Sequence, residues 1–291
     1  MKQTTRQTDT ALGLAARNGP VAVLIKIVLY GAVVMVFAGP LIMLLVSAFR
    51  KVPNATQLSL IPTDLTLHNF KVAIDRDVLL YLMNSFIVVG GGLLLQIAVS
   101  VSAAYALARK QFPGLRLVFL LILSTMMLPE EILAIPLSLV LSDVPVVHVN
   151  LIGSLAGMII PVGSWGFSIL VMTEFMKEIP VELEESARLD GAGDLRIFAS
   201  VVLPLCRPAL GVIGIFGFTN IWDQYLLPLL VATRSSQFTL PLALRTLRSD
   251  ENVGLGVLLA AALLALLPSV IAFIAMQRQF MNGLTSGAIK G

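Results

Sequence analysis

Long apolar runs separated by short polar stretches dominate the chain, and six of the runs are long enough to matter. A transmembrane helix needs about 20 mostly apolar residues to cross a ~30 Å hydrocarbon core. The first run extends from about Val21 to Phe49 and the second from Leu79 to Ala108. The third covers Leu117 to Leu141, the fourth Leu151 to Met172, the fifth Ala209 to Ala232 and the sixth Val253 to Met276. Within each run the apolar residues are continuous instead of alternating, so membrane β-strands are excluded. The pattern predicts an all-α polytopic membrane protein with six transmembrane helices. Residues 1–20 form a polar N-terminal segment, 21–276 the membrane domain with a long polar loop at 177–206, and 277–291 a C-terminal tail. The first run starts too late and is too long for a cleaved signal peptide.

Composition agrees with this picture. Of 291 residues 57% are hydrophobic and only 13% charged, against roughly 25% charged in a soluble domain. A water-soluble enzyme and a disordered chain are both excluded. The net charge of +3 is too small for a nucleic-acid surface. A single cysteine, Cys206, rules out a disulfide framework or a multi-cysteine metal site, and two histidines, His68 and His148, leave little for zinc. With the N-terminus inside, thirteen Lys and Arg fall on the cytoplasmic side and seven outside, as the positive-inside rule requires. An even helix number then puts both termini in the cytoplasm.

The loop between the fourth and fifth runs is the most informative stretch. It reads Glu178-Ile179-Pro180-Val181-Glu182-Leu183-Glu184-Glu185-Ser186-Ala187-Arg188-Leu189-Asp190-Gly191. Proline and acids suit the first turn of a helix, and Gly191 suits its end. Glu184 and Arg188 stand at i,i+4 for an ion pair, while Ala187 and Gly191 are expected to share a small-residue face. Asp194 is expected to cap a second helix running into Pro204. Such a helix either docks a partner through its small face or lies on lipid headgroups.

Glu185-Ser186-Ala187, then Gly191, Val201, Leu203 and Pro204 resemble the EAA signature of bacterial ABC-importer permeases. The pattern is Glu-Ala-Ala, three residues, Gly, nine residues, Ile, one residue, Leu-Pro, and its spacing is kept, with Ser186 and Val201 as departures. Further stretches are similar to carbohydrate permeases of that family: Tyr105 to Gly114, Met126 to Glu131 with Ile135-Pro136, Trp222 to Leu229, and Gln277 to the C-terminus. In the Trp222 stretch, Asp223 replaces the family's Asn.

The resemblance implies a type I importer permease fold (MetI-like). It implies that the EAA loop, with Glu185, Ser186, Ala187, Gly191, Leu203 and Pro204, couples to a cytoplasmic ATPase. It implies tail contacts by Gly283, Leu284 and Thr285, a second permease subunit, two ATPase subunits and an extracytoplasmic sugar-binding protein. ATP and Mg belong to the ATPases and no cofactor to this chain, which is placed in the bacterial inner membrane. Trehalose, maltose-like oligosaccharides and glycerol phosphates are all compatible substrates.

Few polar side chains in the membrane runs could meet a sugar. An acid at mid-bilayer costs about 2.5–3.5 kcal/mol on insertion scales, so it faces protein or water. Glu130 and Glu131 therefore either line the pathway or sit hydrated near the outer interface. Asn220, Trp222, Asp223 and Gln224 offer aromatic, amide and carboxylate groups for sugar recognition, or an interfacial aromatic with hydrated neighbours. Two rival functions remain at this stage. A membrane enzyme lacks a His-Glu-x-x-His pattern, and a stand-alone transporter lacks an obvious ion site. The chain has no Gly-x-x-x-x-Gly-Lys-Ser/Thr loop, so it is not itself the ATPase.

Overall fold

The computed structural model describes residues 20–52, 58, 61, 64–250 and 253–288, with the side chains of 20–22, 276 and 278–288 excepted. The polar segment 1–19 lies outside the described residues. Among the described residues, four helical stretches are long and apolar enough to cross a membrane, and two bent pairs bring the number to six when each counts as one span.

Helix α1 (Pro20–Ala48) leads to α2 (His68–Asp75) and then to α3 (Val78–Arg109). The third run is broken: α4 (Leu115–Thr125) and α5 (Glu130–Ser142) meet at 110°, where the expectation was one continuous helix. Pro129 is the cause. It forces Leu128 out of the α region and cannot donate to the turn before it.

The fourth span comprises α6 (Ala156–Val162) and α7 (Gly166–Lys177). It begins five residues later than the apolar run, because Leu151 and Gly153 spend their amides on Leu141 and Val231. Beyond it come α8 (Glu182–Leu189) and α9 (Asp194–Ile197), which passes through a π-turn at Phe198–Val202 into α10 (Leu203–Leu205). The chain then turns by 72° into α11 (Arg207–Trp222), followed by α12 (Leu226–Val231), α13 (Leu240–Ser249) and α14 (Leu255–Ala288). The fifth run is thus two helices separated by Asp223–Tyr225. The last helix continues past the expected end at Met276.

The central helix is α3. Its buried side, which includes Val88, Gly92, Gln96, Ser100 and Ala104, packs against α6, α7 and α11. A Cβ on Gly92 would stand 2.7 Å from Val162 Cγ2, so only glycine permits the approach of α3 to α6. Gln96 donates from its amide to Ser168 Oγ on α7, and both are fully buried. An interhelical polar bond of this kind fixes rotation and register between two apolar helices.

Two short helices appear where only loops were expected. On α13, Leu240, Ala243 and Leu247 repeat at helical spacing and are buried against Ala73, Tyr81, Val257 and Ala261. This covers the N-terminal ends of α3 and α14. Asn84 Nδ2 donates to the carbonyls of Ser236 and Phe238 at 2.9 Å, and Ser85 Oγ accepts from Leu240 N at 2.8 Å. On α2, Asn69 Nδ2 donates to Ala48 O at 2.9 Å, tying α2 to the end of α1. Among the described residues only two isolated β-bridges occur.

Candidate functional site

Two places are candidates for function: the α8–α10 loop at one end of the bundle and a cleft between broken helices within it.

Helix α8 starts at Glu182, two residues past Pro180, with Glu182, Glu184 and Glu185 in its first turn, where acids complement the positive helix end. It ends in a Schellman arrangement. Ala192 N donates to Ala187 O and Gly191 N to Arg188 O, both at 3.0 Å, and Gly191 takes φ +82°. Glycine is the residue that adopts this left-handed geometry without Cβ strain.

Three local expectations are corrected here. Glu184 does not pair with Arg188. Its Oε1 accepts from Nε of Arg109, the last residue of α3, at 2.5 Å, with the two side chains 5% and 8% exposed. Arg109 Nη2 also donates to Ile179 O at 2.7 Å, so one guanidinium joins α3, the end of the α7 segment and α8. Second, Asp194 caps no helix. Its carboxylate accepts from Lys110 Nζ at 2.6 Å and Arg188 Nη2 at 3.4 Å. The hydrogen bond to Asp194 raises the Lys110 ammonium above its ordinary value. Third, Gly191 lies beyond the helix and shares no face with Ala187. Ala187 is half-buried and packs inward with Ala192 against a core that includes Ile179, Ile197 and Cys206.

Outward from this loop project Glu185 and Ser186, both exposed, together with Leu189 at 90% and Leu195 at 84% exposure. No Cβ on Gly191 would touch anything within 4 Å. Leu203 is half-buried and Pro204 exposed. Sequence reasoning overlooked Leu189 and Leu195 as surface features, and their signal was two large apolar residues flanking a glycine in a charged loop.

The second place is a cleft of ≈ 160 Å³ whose polar lining is Glu130, Ser164, Asn220 and Gln224, with Trp165 and aliphatic side chains around them. Glu130, Asn220 and Gln224, expected from the sequence, come together. Gln224 Nε2 approaches Glu130 Oε2 at 3.5 Å, a long contact. Trp222, although adjacent in sequence, does not join them. It is 3% exposed in a core with Val88, Val89 and Met158, stacks on Phe218 at 5.5 Å and donates from Nε1 to Ala265 O at 3.3 Å. Helix α11 ends at Trp222, and the chain leaves the helical path at Asp223–Tyr225, which separates the indole from its sequence neighbours. Glu131 and Asp223 are exposed and do not line the cleft. Ser164 and Trp165 were not anticipated. The tail residues Gly283, Leu284 and Thr285 have a helical backbone within α14, and their side chains lie outside the described residues.

Helices of membrane-crossing length joined by a polar helical loop define a polytopic membrane protein. A model of the binding-protein-dependent transport system inner membrane component matches residues 96–280. The chain is 34% identical over 233 residues to the diacetylchitobiose uptake permease DasC of Streptomyces coelicolor, covering 79% of this chain and 83% of that protein. It is 33% identical to the arabinooligosaccharide permease AraQ of Halalkalibacterium halodurans, covering 87% and 91%, and 33% to the melibiose/raffinose/stachyose permease MelC of Bacillus subtilis, again 87% and 91%. A crystal structure of a bacterial ABC transporter that imports the acidic polysaccharide alginate shares the fold with a TM-score of 0.78 at 22% identity, over 91% of this chain and 98% of that one. The chain belongs to the family of binding-protein-dependent transport system inner membrane components. It is a permease subunit of an ABC importer, not an enzyme.

Proposed function

We propose that this permease carries carbohydrate, forms half of the translocation pathway, and takes its drive from a cytoplasmic ATPase seated on α8. The names of DasC, AraQ and MelC, all oligosaccharide permeases, support the substrate class. The observation that carries the coupling role is the seating of α8. Arg109 locks it to the end of α3 through a buried ion pair, while Leu189 and Leu195 project outward. A loop whose helix is fixed on its inner side, and whose exposed polar surface carries two projecting leucines, is built to receive a partner and pass its motion to the membrane helices. In the assembly, Glu185, Ser186 and Gly191 lie at the contact and Leu203 and Pro204 brace it from behind. Both termini are cytoplasmic, residues 177–206 form the coupling loop, and residues 277–291, with Gly283, Leu284 and Thr285, reach the ATPases. A second permease subunit, two ATPase subunits holding ATP and Mg, and an external sugar-binding protein complete the assembly.

Docking is read directly by a label. Leu189→Cys, carrying an environment-sensitive fluorophore, is expected to be shielded from iodide in the purified assembly and quenched when the ATPase is stripped away. Cys206 is buried and offers no competing site. Equal quenching in both states would remove α8 from the interface.

A further inference from the structure

Three membrane spans are interrupted, and the interruptions meet. The breaks at 126–129, 163–165 and 223–225 bring Glu130, Ser164 with Trp165, and Gln224 to the same cleft. Their depths agree. The 11 residues of α4 rise about 16 Å, and the 12 residues of α7 place Trp165 about 18 Å from the Lys177 end. Asn220, 13 residues beyond Arg207 on α11, stands about 20 Å from that helix start. All three levels fall in the middle to outer part of a ~30 Å core. Non-helical backbone at that depth is tolerated only where it is buried in protein or lines a water-filled cavity, and in secondary transporters discontinuous helices form the substrate site.

The lining has a definite chemistry. Trp165 is half-buried and backed by Phe167 at a ring distance of 4.8 Å. Among the described residues Glu130 is the one ionisable group in the lining, with no Lys or Arg beside it. Arg245 is turned over the Tyr225 ring at 5.0 Å in a separate cleft. An aromatic face, two amides, a hydroxyl and one carboxylate satisfy the hydroxyls and C–H face of a sugar, and a lone carboxylate opposes an anion. The cleft is smaller than the ~300–1,000 Å³ typical of sites that enclose a drug-sized ligand, so it suits one ring at a time.

Resting on the transport reading above, we propose that this cleft is a binding waypoint for uncharged sugar rings, stacked on Trp165 and held by Glu130, Asn220 and Gln224, and that it rejects phosphate esters and uronates. The site belongs to this subunit itself, independent of the external binding protein.

The test uses the purified assembly without binding protein and follows tryptophan emission during titration with raffinose and maltotriose, and separately with sn-glycerol 3-phosphate and galacturonate. The two neutral sugars should change the emission saturably, and the change should vanish in Trp165→Phe. The anions should have no effect on the wild type. Glu130→Gln should make the anions change the emission saturably, since a like charge is removed from a low-dielectric site. Equal response to anions and neutral sugars in the wild type, or no response to raffinose and maltotriose at any concentration, would overturn the proposal. Iodide shielding of labelled Leu189→Cys, measured on the same preparation, reports separately on ATPase coupling, so failure of one does not imply failure of the other.

Discussion

Replacing Gly191 with valine is expected to lower ATP-driven uptake at least about tenfold while leaving membrane insertion and subunit levels unchanged. Gly191 sits at φ +82° with open space around it, so the penalty is conformational and not a clash. A left-handed backbone costs an ordinary L-residue about 1–2 kcal/mol, more for a β-branched one. The two closing bonds, Ala192 N to Ala187 O and Gly191 N to Arg188 O, contribute roughly 0.5–1.5 kcal/mol each if lost. The end of α8 would then turn away, carrying Leu189 out of position. Gly191→Asn, which tolerates the left-handed region, should retain most of the uptake. If asparagine fails as badly as valine, bulk at a close interface and not backbone geometry governs the position. Uptake assays on cells with matched subunit levels distinguish these outcomes.

Arg109→Ala is expected to uncouple the subunit through a different route. Removing the guanidinium leaves the Glu184 carboxylate buried without its partner and frees the Ile179 carbonyl. Breaking one side of a buried pair costs about 3–5 kcal/mol, much of it the penalty on the survivor. Helix α8 should therefore open locally, seen as faster amide hydrogen exchange across Glu182–Leu189, and stimulation of the ATPase by loaded binding protein should fall. Arg109→Ala combined with Glu184→Leu should recover much of the protection, because no unpaired charge is then buried. Arg109→Lys should recover little, since a point charge cannot serve both acceptors as the planar fork does. Unchanged exchange in Arg109→Ala would mean that the pair does not hold α8.

The spans were legible because burial in lipid demands an apolar run that no other environment explains. Their interruptions were only half legible. Pro129 is visible in the sequence, but a 110° bend depends on what α5 packs against, and α5 finds α12. Helix α13 was not legible from span-length hydrophobicity, because its helical periodicity of Leu240, Ala243, Leu244 and Leu247 fills a segment too short and too polar to cross a membrane. At α8, local rules proposed Glu184 with Arg188, and a buried partner 75 residues away won because it also satisfies a carbonyl and escapes solvent screening. At the cleft, residue chemistry alone grouped Trp222 with Asp223 and Gln224. The end of α11 at Trp222 divides them: the indole stays in the core, while the break at Asp223–Tyr225 carries the amide of Gln224 to the cleft. Trp165 had no comparable cue beyond its place after Gly163 and Ser164.

The central claim is that this chain turns ATPase work at α8 into passage of sugar through the membrane. Reconstitution of the whole assembly into vesicles tests it most directly, with ATP on the α8 side and loaded binding protein on the other. The account predicts that labelled neutral sugar accumulates against its gradient only when ATP and binding protein are both present, and that Gly191→Val abolishes the accumulation without dissociating the subunits. Accumulation that proceeds without ATP, or that is untouched in the Gly191→Val assembly, would contradict it.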